Sequence, residues 1–340
     1  MKNVNVYENS NNKGILLNAN EMYVNLNTII LDEIKNEISN INFNRYPDSD
    51  STELRKRYAE IYGLDYDAII AGNGSDEMLG LMIGTFLGHS KKLYTLKPDF
   101  SMYNYYASMQ ESEVVSYETR EDGSFSIEDF IKQGKDKKVD LILFSNPNNP
   151  TGNHISNKEI SKIVESFPNI PVIVDEAYTE YACESALKLI NKYNNIYITR
   201  TLSKAFSLAA ARVGFLMSNK DNIKRIREKK VPYNVNSISQ IIASIVLKHR
   251  NEFRDIVEEI KKSRDSFYES CKEGKGYTIY PSQANFIYGR SPYKDRFIRN
   301  LEDNNIIIRS FKDDTFRITM GSEKQNKIVK EILLNLNVEG

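Results

Sequence analysis

The chain has 340 residues, 40% hydrophobic and 27% charged, a globular balance that suits one large domain plus a smaller one. Its 46 basic and 46 acidic side chains cancel, which excludes a global field for nucleic acid or anionic membrane and leaves anion binding to local arginines. The polar start, MKNVNVYENSNNKG, and the lack of any run near the roughly 18 apolar residues of a membrane span point to a soluble, cytoplasmic protein.

Residues 1–27 read as an irregular arm, and TIILDEIKNEISN (28–40) as a short helix. TELRKRYAEI (52–61) has helical apolar spacing. After GNGSDE, MLGLMIGTFL is apolar around most of its circumference, which predicts a buried helix. Three short apolar runs follow: Asp140–Phe144, Pro171–Val174 and Ile196–Thr199. Their length and bounding residues predict buried strands of a mostly parallel sheet. Residues 157–166 and 184–193 supply crossover helices. A long, charged, periodic helix is expected over about 238–272. YTIYPSQANFIYGR and IIIRSFKDDTFRITMG alternate like antiparallel strands, and EKQNKIVKEILLNL closes the chain as a helix. The expected fold class is therefore α/β, with an N-terminal arm (1–43), a large domain (44–235) and a small α+β domain (236–340). Cys183 and Cys271 stand too far apart for a disulfide framework. His89, His154 and His249 lack ligand spacing, so no metal site is expected.

Five segments carry the chemistry. In YITRTLSKAFSLAAARVG (197–214), Lys204 follows a β-branched strand and sits among small residues. With Thr201, Ser203 and Arg212 around it, it can present an amine for covalent use beside an anion site; the bland alternative is a solvated lysine at a strand end. In GNGSDE (72–77), Gly72 and Gly74 permit close backbone approach. Ser75 can cap a helix beginning near Asp76, and the resulting N–H cluster suits a phosphate. A plain glycine-rich turn before a helix reads equally well, and the charges of Asp76 and Glu77 oppose an anion unless they point away. SNPNNPTG (145–152) follows a strand whose end should face a ligand crevice, and it can turn an asparagine amide inward. In VDEAYTEY (174–181), Asp175 ends a buried strand, where a carboxylate needs a cation or serves to cap a helix. Tyr178 adds a phenol three positions on. Finally, Arg309 and Arg317 lie in otherwise apolar strands, where each should meet an anion or an ion-pair partner.

Taken together these segments resemble the fold type I pyridoxal-phosphate aminotransferases, and most of all the histidinol-phosphate aminotransferase family. LNANE (17–21), NRYPD (44–48), PYNVN (232–236), SKAFSLAAARVG (203–214) and FRITMG (316–321) extend the likeness over nearly the whole chain. The resemblance implies an aspartate aminotransferase-like large domain and pyridoxal 5'-phosphate as cofactor. It makes Lys204 the lysine bonded to the cofactor aldehyde and pairs Asp175 with the pyridine nitrogen. It also sets Asn149 and Tyr178 at the ring hydroxyl. Gly74, Ser75, Asp76 (through its backbone), Thr201, Ser203 and Arg212 would surround the cofactor phosphate. Phe100 falls where the family usually stacks a tyrosine on the ring. Tyr46 would reach the cofactor of the partner subunit, which implies a homodimer. Arg317 matches the arginine that grips the substrate carboxylate, and Arg309 with Tyr23 matches groups near a substrate phosphate. The family's arm usually continues past Asn-Glu to a proline, whereas here Met22-Tyr23-Val24 follows.

The expected activity is transamination between a small phosphorylated amine or ketone and glutamate/2-oxoglutarate, with histidinol phosphate as first candidate. Amination of another phosphorylated ketone such as dihydroxyacetone phosphate is the alternative, as is decarboxylation of phosphothreonine or phosphoserine. A pyridoxal-phosphate-binding regulator is disfavoured, since the neutral chain leaves no room for the DNA-binding domain such proteins usually add, and an inactive paralogue is disfavoured because lysine, aspartate and arginine are all present. No nucleic-acid or membrane partner is expected.

Overall fold

Two sheets organise residues 14–336, the part of the chain described by the computed structural model. The first strands are β1 (Ile15–Leu17), β2 (Ile69–Asn73), β3 (Lys92–Lys97), β4 (Glu113–Glu118), β5 (Leu141–Ser145) and β6 (Val172–Asp175). They are followed by β7 (Ile196–Thr201), β8 (Val213–Met217), β9 (Thr278–Ile279), β10 (Phe286–Arg290), β11 (Ile306–Ser310) and β12 (Thr315–Thr319). The helices are α1 (Thr28–Ser39), α2 (Thr52–Tyr62), α3 (Gly74–Phe86), α4 (Met102–Met109), α5 (Ile127–Lys137) and α6 (Asn157–Ser166). Then come α7 (Lys220–Arg227), α8 (Ser237–Lys248), α9 (Arg250–Cys271), α10 (Lys294–Glu302) and α11 (Glu323–Leu334).

The larger sheet has the order β2-β8-β7-β6-β5-β3-β4. Only β8 runs against its neighbours; the pairs from β7 through β4 are parallel. Every residue of β5, β6, β7 and β8 is buried, because helices cover both faces and the strands need apolar side chains on both. α3 packs on β2, β7 and β8, and its Met78, Leu79, Met82 and Ile83 are fully buried. The fold is α/β, as expected. The smaller sheet, β1-β11-β12-β10-β9, draws β1 from the arm and pairs it parallel with β11. No helix among the described residues is long and apolar enough to cross a membrane.

Three local expectations are corrected. The periodic stretch at 238–272 is two helices, α8 and α9, broken at His249. His249 Nε2 lies 2.8 Å from Glu33 of α1 and Nδ1 3.3 Å from Glu252 in the first turn of α9, so contacts with both helices hold the turn where the apolar periodicity alone would continue. The segment 184–193 is a short 3-10 turn, Ala186–Asn191, rather than an α-helix. α3 begins at Gly74 with Asn73 as its N-cap, so Ser75 is inside the helix and does not cap it.

Candidate active site

The parallel register sets Ser145, Asp175 and Thr199 side by side at the ends of β5, β6 and β7, the edge where ligands bind in such sheets. Asp175 is 3% exposed. Its Oδ2 accepts from Tyr103 Oη at 2.8 Å and its Oδ1 from Thr199 Oγ1 at 2.9 Å. Both partners are neutral, and among the described residues no cation pairs with it. Burial consequently pushes the Asp175 carboxyl up to about 6. Beside it, Asp99 accepts from Ser145 Oγ, from Ser145 N at 3.2 Å and from Phe100 N at 2.8 Å. Burial, with the charge of Asp175 adding to it, pushes Asp99 up to about 8.

Lys204 stands on the segment that leaves β7, and its Nζ enters the same cleft. Nζ donates to the carbonyl of Ala19 at 2.7 Å and lies 6.0 Å from the centre of the Tyr178 ring. Burial, aided by the positive charge of Arg317, lowers its pKa to about 8, which raises the fraction of neutral, nucleophilic amine near neutral pH. Tyr178 is held by Asn20 Nδ2 at 2.8 Å and sits edge-on to Phe286.

A second group of donors forms where α3 meets the chain between β7 and β8. Arg212, at φ +53, sends Nη2 to Asp76 at 2.9 Å and Nη1 to Ser203 Oγ at 3.4 Å. Thr201 Oγ1 lies 2.9 Å from Ser203 Oγ. Backbones approach so closely here that a Cβ on Gly214 would sit 2.2 Å from Ser75 N, and one on Gly74 (φ +76) 2.7 Å from Arg212 Nη2. The expected conflict between an anion and the acidic start of α3 is resolved. Asp76 is neutralised by Arg212, and Glu77 turns back to Asn73 N and Asn234 Nδ2. Hydroxyls, a guanidinium and the N-terminal N–H groups of α3 together suit a phosphate.

The opposite wall comes from the smaller sheet and the arm. Arg317 is 3% exposed, donates to Asn149 Oδ1, and reaches the Asn18 carbonyl at 2.8 Å. Asn149 N is anchored on Ser145 Oγ at 2.9 Å, so the SNPNNPTG turn presents its amide inward as the sequence suggested. Phe100, Met102 and Tyr106 complete a cleft of about 460 Å³.

The cleft thus brings together Ser75, Asp76, Phe100, Asn149, Asp175, Tyr178, Thr201, Ser203, Lys204, Arg212 and Arg317, with Gly74 behind Arg212. Besides Gly74, three expected residues lie off its lining. Tyr23 donates to Glu259 Oε1 at 3.2 Å, in a separate depression against α9. Tyr46 is 82% exposed and stacks on Tyr233. Arg309 is half-buried on β11, directly opposite Arg317. Sequence reasoning missed Tyr103, Thr199, Asp99 and Asn20. Only Asn20 had a signal, since LNANE stands out as a motif.

A family model for aminotransferase class I and II matches residues 12–333. The chain belongs to this family. It is 37% identical over 316 residues to the histidinol-phosphate aminotransferase of Clostridium novyi (strain NT), covering 92% of this chain and 88% of that one. Among solved structures, histidinol-phosphate aminotransferase from Clostridium acetobutylicum is similar at TM-score 0.85 and 25% identity, covering 95% of this aminotransferase-family chain and 98% of the other. The enzyme from Sinorhizobium meliloti in complex with pyridoxal-5'-phosphate gives TM-score 0.85 at 20% identity over 95% and 92% of the two chains, a likeness of fold.

Proposed function

We propose that the chain is a pyridoxal-phosphate-dependent aminotransferase that moves an amino group between histidinol phosphate and 2-oxoglutarate. The observation that carries this reading is Asp175: a buried carboxylate whose partners, the Tyr103 and Thr199 hydroxyls and the Ala177 N–H, are all neutral, in one cleft with a lysine of lowered pKa. A protonated pyridine nitrogen is the cation it lacks, and the donors around Arg212 fit the cofactor's phosphate. When bound, pyridoxal phosphate supplies an electron sink and stores the amino group between half-reactions. Asp175 would keep the ring nitrogen protonated, while Asn149 and Tyr178 would orient the ring through its hydroxyl and Phe100 would stack against its face. Lys204 Nζ, released from the cofactor by the incoming amine, would take the proton from the amine-bearing carbon of the substrate and deliver it to the cofactor carbon that receives the amino group. Arg317 holds the carboxylate of glutamate, and Arg309 the phosphate of the other substrate. The substrate assignment is supported by the Clostridium novyi relative.

The same reading makes the protein a cytoplasmic homodimer. Phe43, Tyr46, Val231 and Tyr233 are exposed by 45–82%, an apolar group that a second copy would cover, with Tyr46 reaching the partner's phosphate cradle. The division at 44–235 and 236–340 is supported by the strands: β2–β8 build one sheet, while β1 and β9–β12 build the other. The experiment is a panel of histidinol phosphate, serinol phosphate, phosphoserine and phosphothreonine with the reconstituted protein, scored by cofactor absorbance. Preference for histidinol phosphate supports the assignment; preference for a phospho-amino acid overturns it. Light scattering tests the dimer.

A further inference from the structure

Three carboxylates line the cleft: Asp76, Asp175 and Glu21. Asp76 is bound by Arg212, and Asp175 by Tyr103 and Thr199. Glu21 has no hydrogen-bond or ion-pair partner among the described residues. Its position is nonetheless fixed. Asn20, just before it, takes φ +56 and is tied through its N–H to Thr319, through its carbonyl to Asn285 and through its amide to Tyr178. The Glu21 charge also acts on Lys204 across the cleft.

An uncommitted carboxylate is costly in a cleft whose Lys204, Arg212 and Arg317 serve anions, because it repels both a phosphate and the carboxylates of glutamate. Holding it there is consistent with a ligand that brings a hydrogen-bond donor. On histidinol phosphate the phosphate belongs to the arginines and the amine to the reaction beside Lys204. The ring N–H is the donor left over, and Met102 and Tyr106 supply walls on which a flat ring can lie. We propose that Glu21 is a specificity-determining residue that accepts a hydrogen bond from the imidazole ring of the phosphorylated substrate. The proposal rests on the histidinol-phosphate reading. In the rival role Glu21 serves the ammonium of every amine, or Lys204 itself, and then all amines are treated alike.

The test compares wild type, Glu21→Gln and Glu21→Ala as reconstituted enzymes. The quantity read is the ratio of efficiencies for histidinol phosphate over serinol phosphate, which lacks the ring. Binding of the two phosphates to the pyridoxamine-phosphate form, where no turnover occurs, gives the same ratio at equilibrium. The ratio should fall about tenfold to a hundredfold in Glu21→Ala, and less in Glu21→Gln, which keeps an acceptor oxygen. Parallel losses for both ligands, leaving the ratio unchanged while wild type prefers histidinol phosphate, overturn the role of Glu21 alone. A wild type that transaminates glutamate but shows no preference for histidinol phosphate overturns the substrate reading and this inference together.

Discussion

Lys204 Nζ donates a 2.7 Å hydrogen bond to the carbonyl of Ala19, 185 residues earlier in the chain. The arm therefore holds the amine beside the Tyr178 ring, bound to a neutral acceptor.

Because its pKa is lowered to about 8, Lys204 should capture cofactor at a rate that rises with pH and levels above about 8. Between about 6 and 8 the slope should approach tenfold per pH unit, as the neutral fraction of the amine grows. Below 6 it should steepen as Asp175 is protonated. Stopped-flow mixing of cofactor-free protein with pyridoxal phosphate measures this. A rate still climbing through pH 10 would assign Lys204 an ordinary lysine pKa.

Asp175→Asn should raise the stability of the cofactor-free protein at pH 8 while weakening cofactor binding. The sign follows from the raised pKa. A carboxyl pushed up to about 6 contributes stability that is complete below its unfolded value near 4 and lost as pH rises through about 6. The gain should be about 3 kcal/mol at pH 8 and vanish near pH 4. Thermal melts of both proteins at the two pH values decide it. Turnover of the reconstituted variant should drop by several orders of magnitude, since the ring nitrogen loses its counter-ion.

Arg309 and Arg317 are directly opposed across β11 and β12, so they share one face of the small sheet. Arg309→Ala should weaken the phosphorylated substrate far more than glutamate, by about 2–4 kcal/mol. Arg317→Ala should damage the glutamate half-reaction at least as badly. Following each half-reaction by cofactor absorbance separates the two. Equal losses for Arg309→Ala would make it a scaffold residue.

The buried pair Arg200–Glu176 supports the site from below. Arg200 donates to Glu176 at 2.8 and 2.9 Å, and Ser185 Oγ and Ala186 N complete the shell of the carboxylate. Arg200→Ala leaves a buried charge without its partner and should cost about 3–5 kcal/mol. The double variant Arg200→Met, Glu176→Gln should recover most of that loss in urea unfolding. No recovery would show that the arginine stabilises by packing alone.

The runs that became β5, β6 and β7 were legible because they are apolar, short and bounded by turn residues. β1 was not, since three residues cannot show alternation and this strand exists only through its pairing with β11. β8 was hidden behind Arg212, in a stretch that read as motif. Among the residues that line the cleft, Lys204, Asp175 and Arg212 were legible because strand ends and lone charges mark them locally, while Phe100 was reached only through the family resemblance. Tyr103, Thr199 and Asp99 were not, for their roles come from lateral register: Thr199 and Ser145 flank Asp175 only once three strands align. The resemblance set Tyr23 near a substrate phosphate, but its phenol donates to Glu259 outside the cleft.

The central claim is that Lys204 bonds covalently to pyridoxal phosphate. Borohydride treatment of the reconstituted protein, followed by peptide mass analysis, tests it directly. The account predicts one reduced pyridoxyl group, on the peptide containing Lys204, and none in Lys204→Ala. A colourless reconstituted protein, or label on another lysine with Lys204 unmodified, would contradict it.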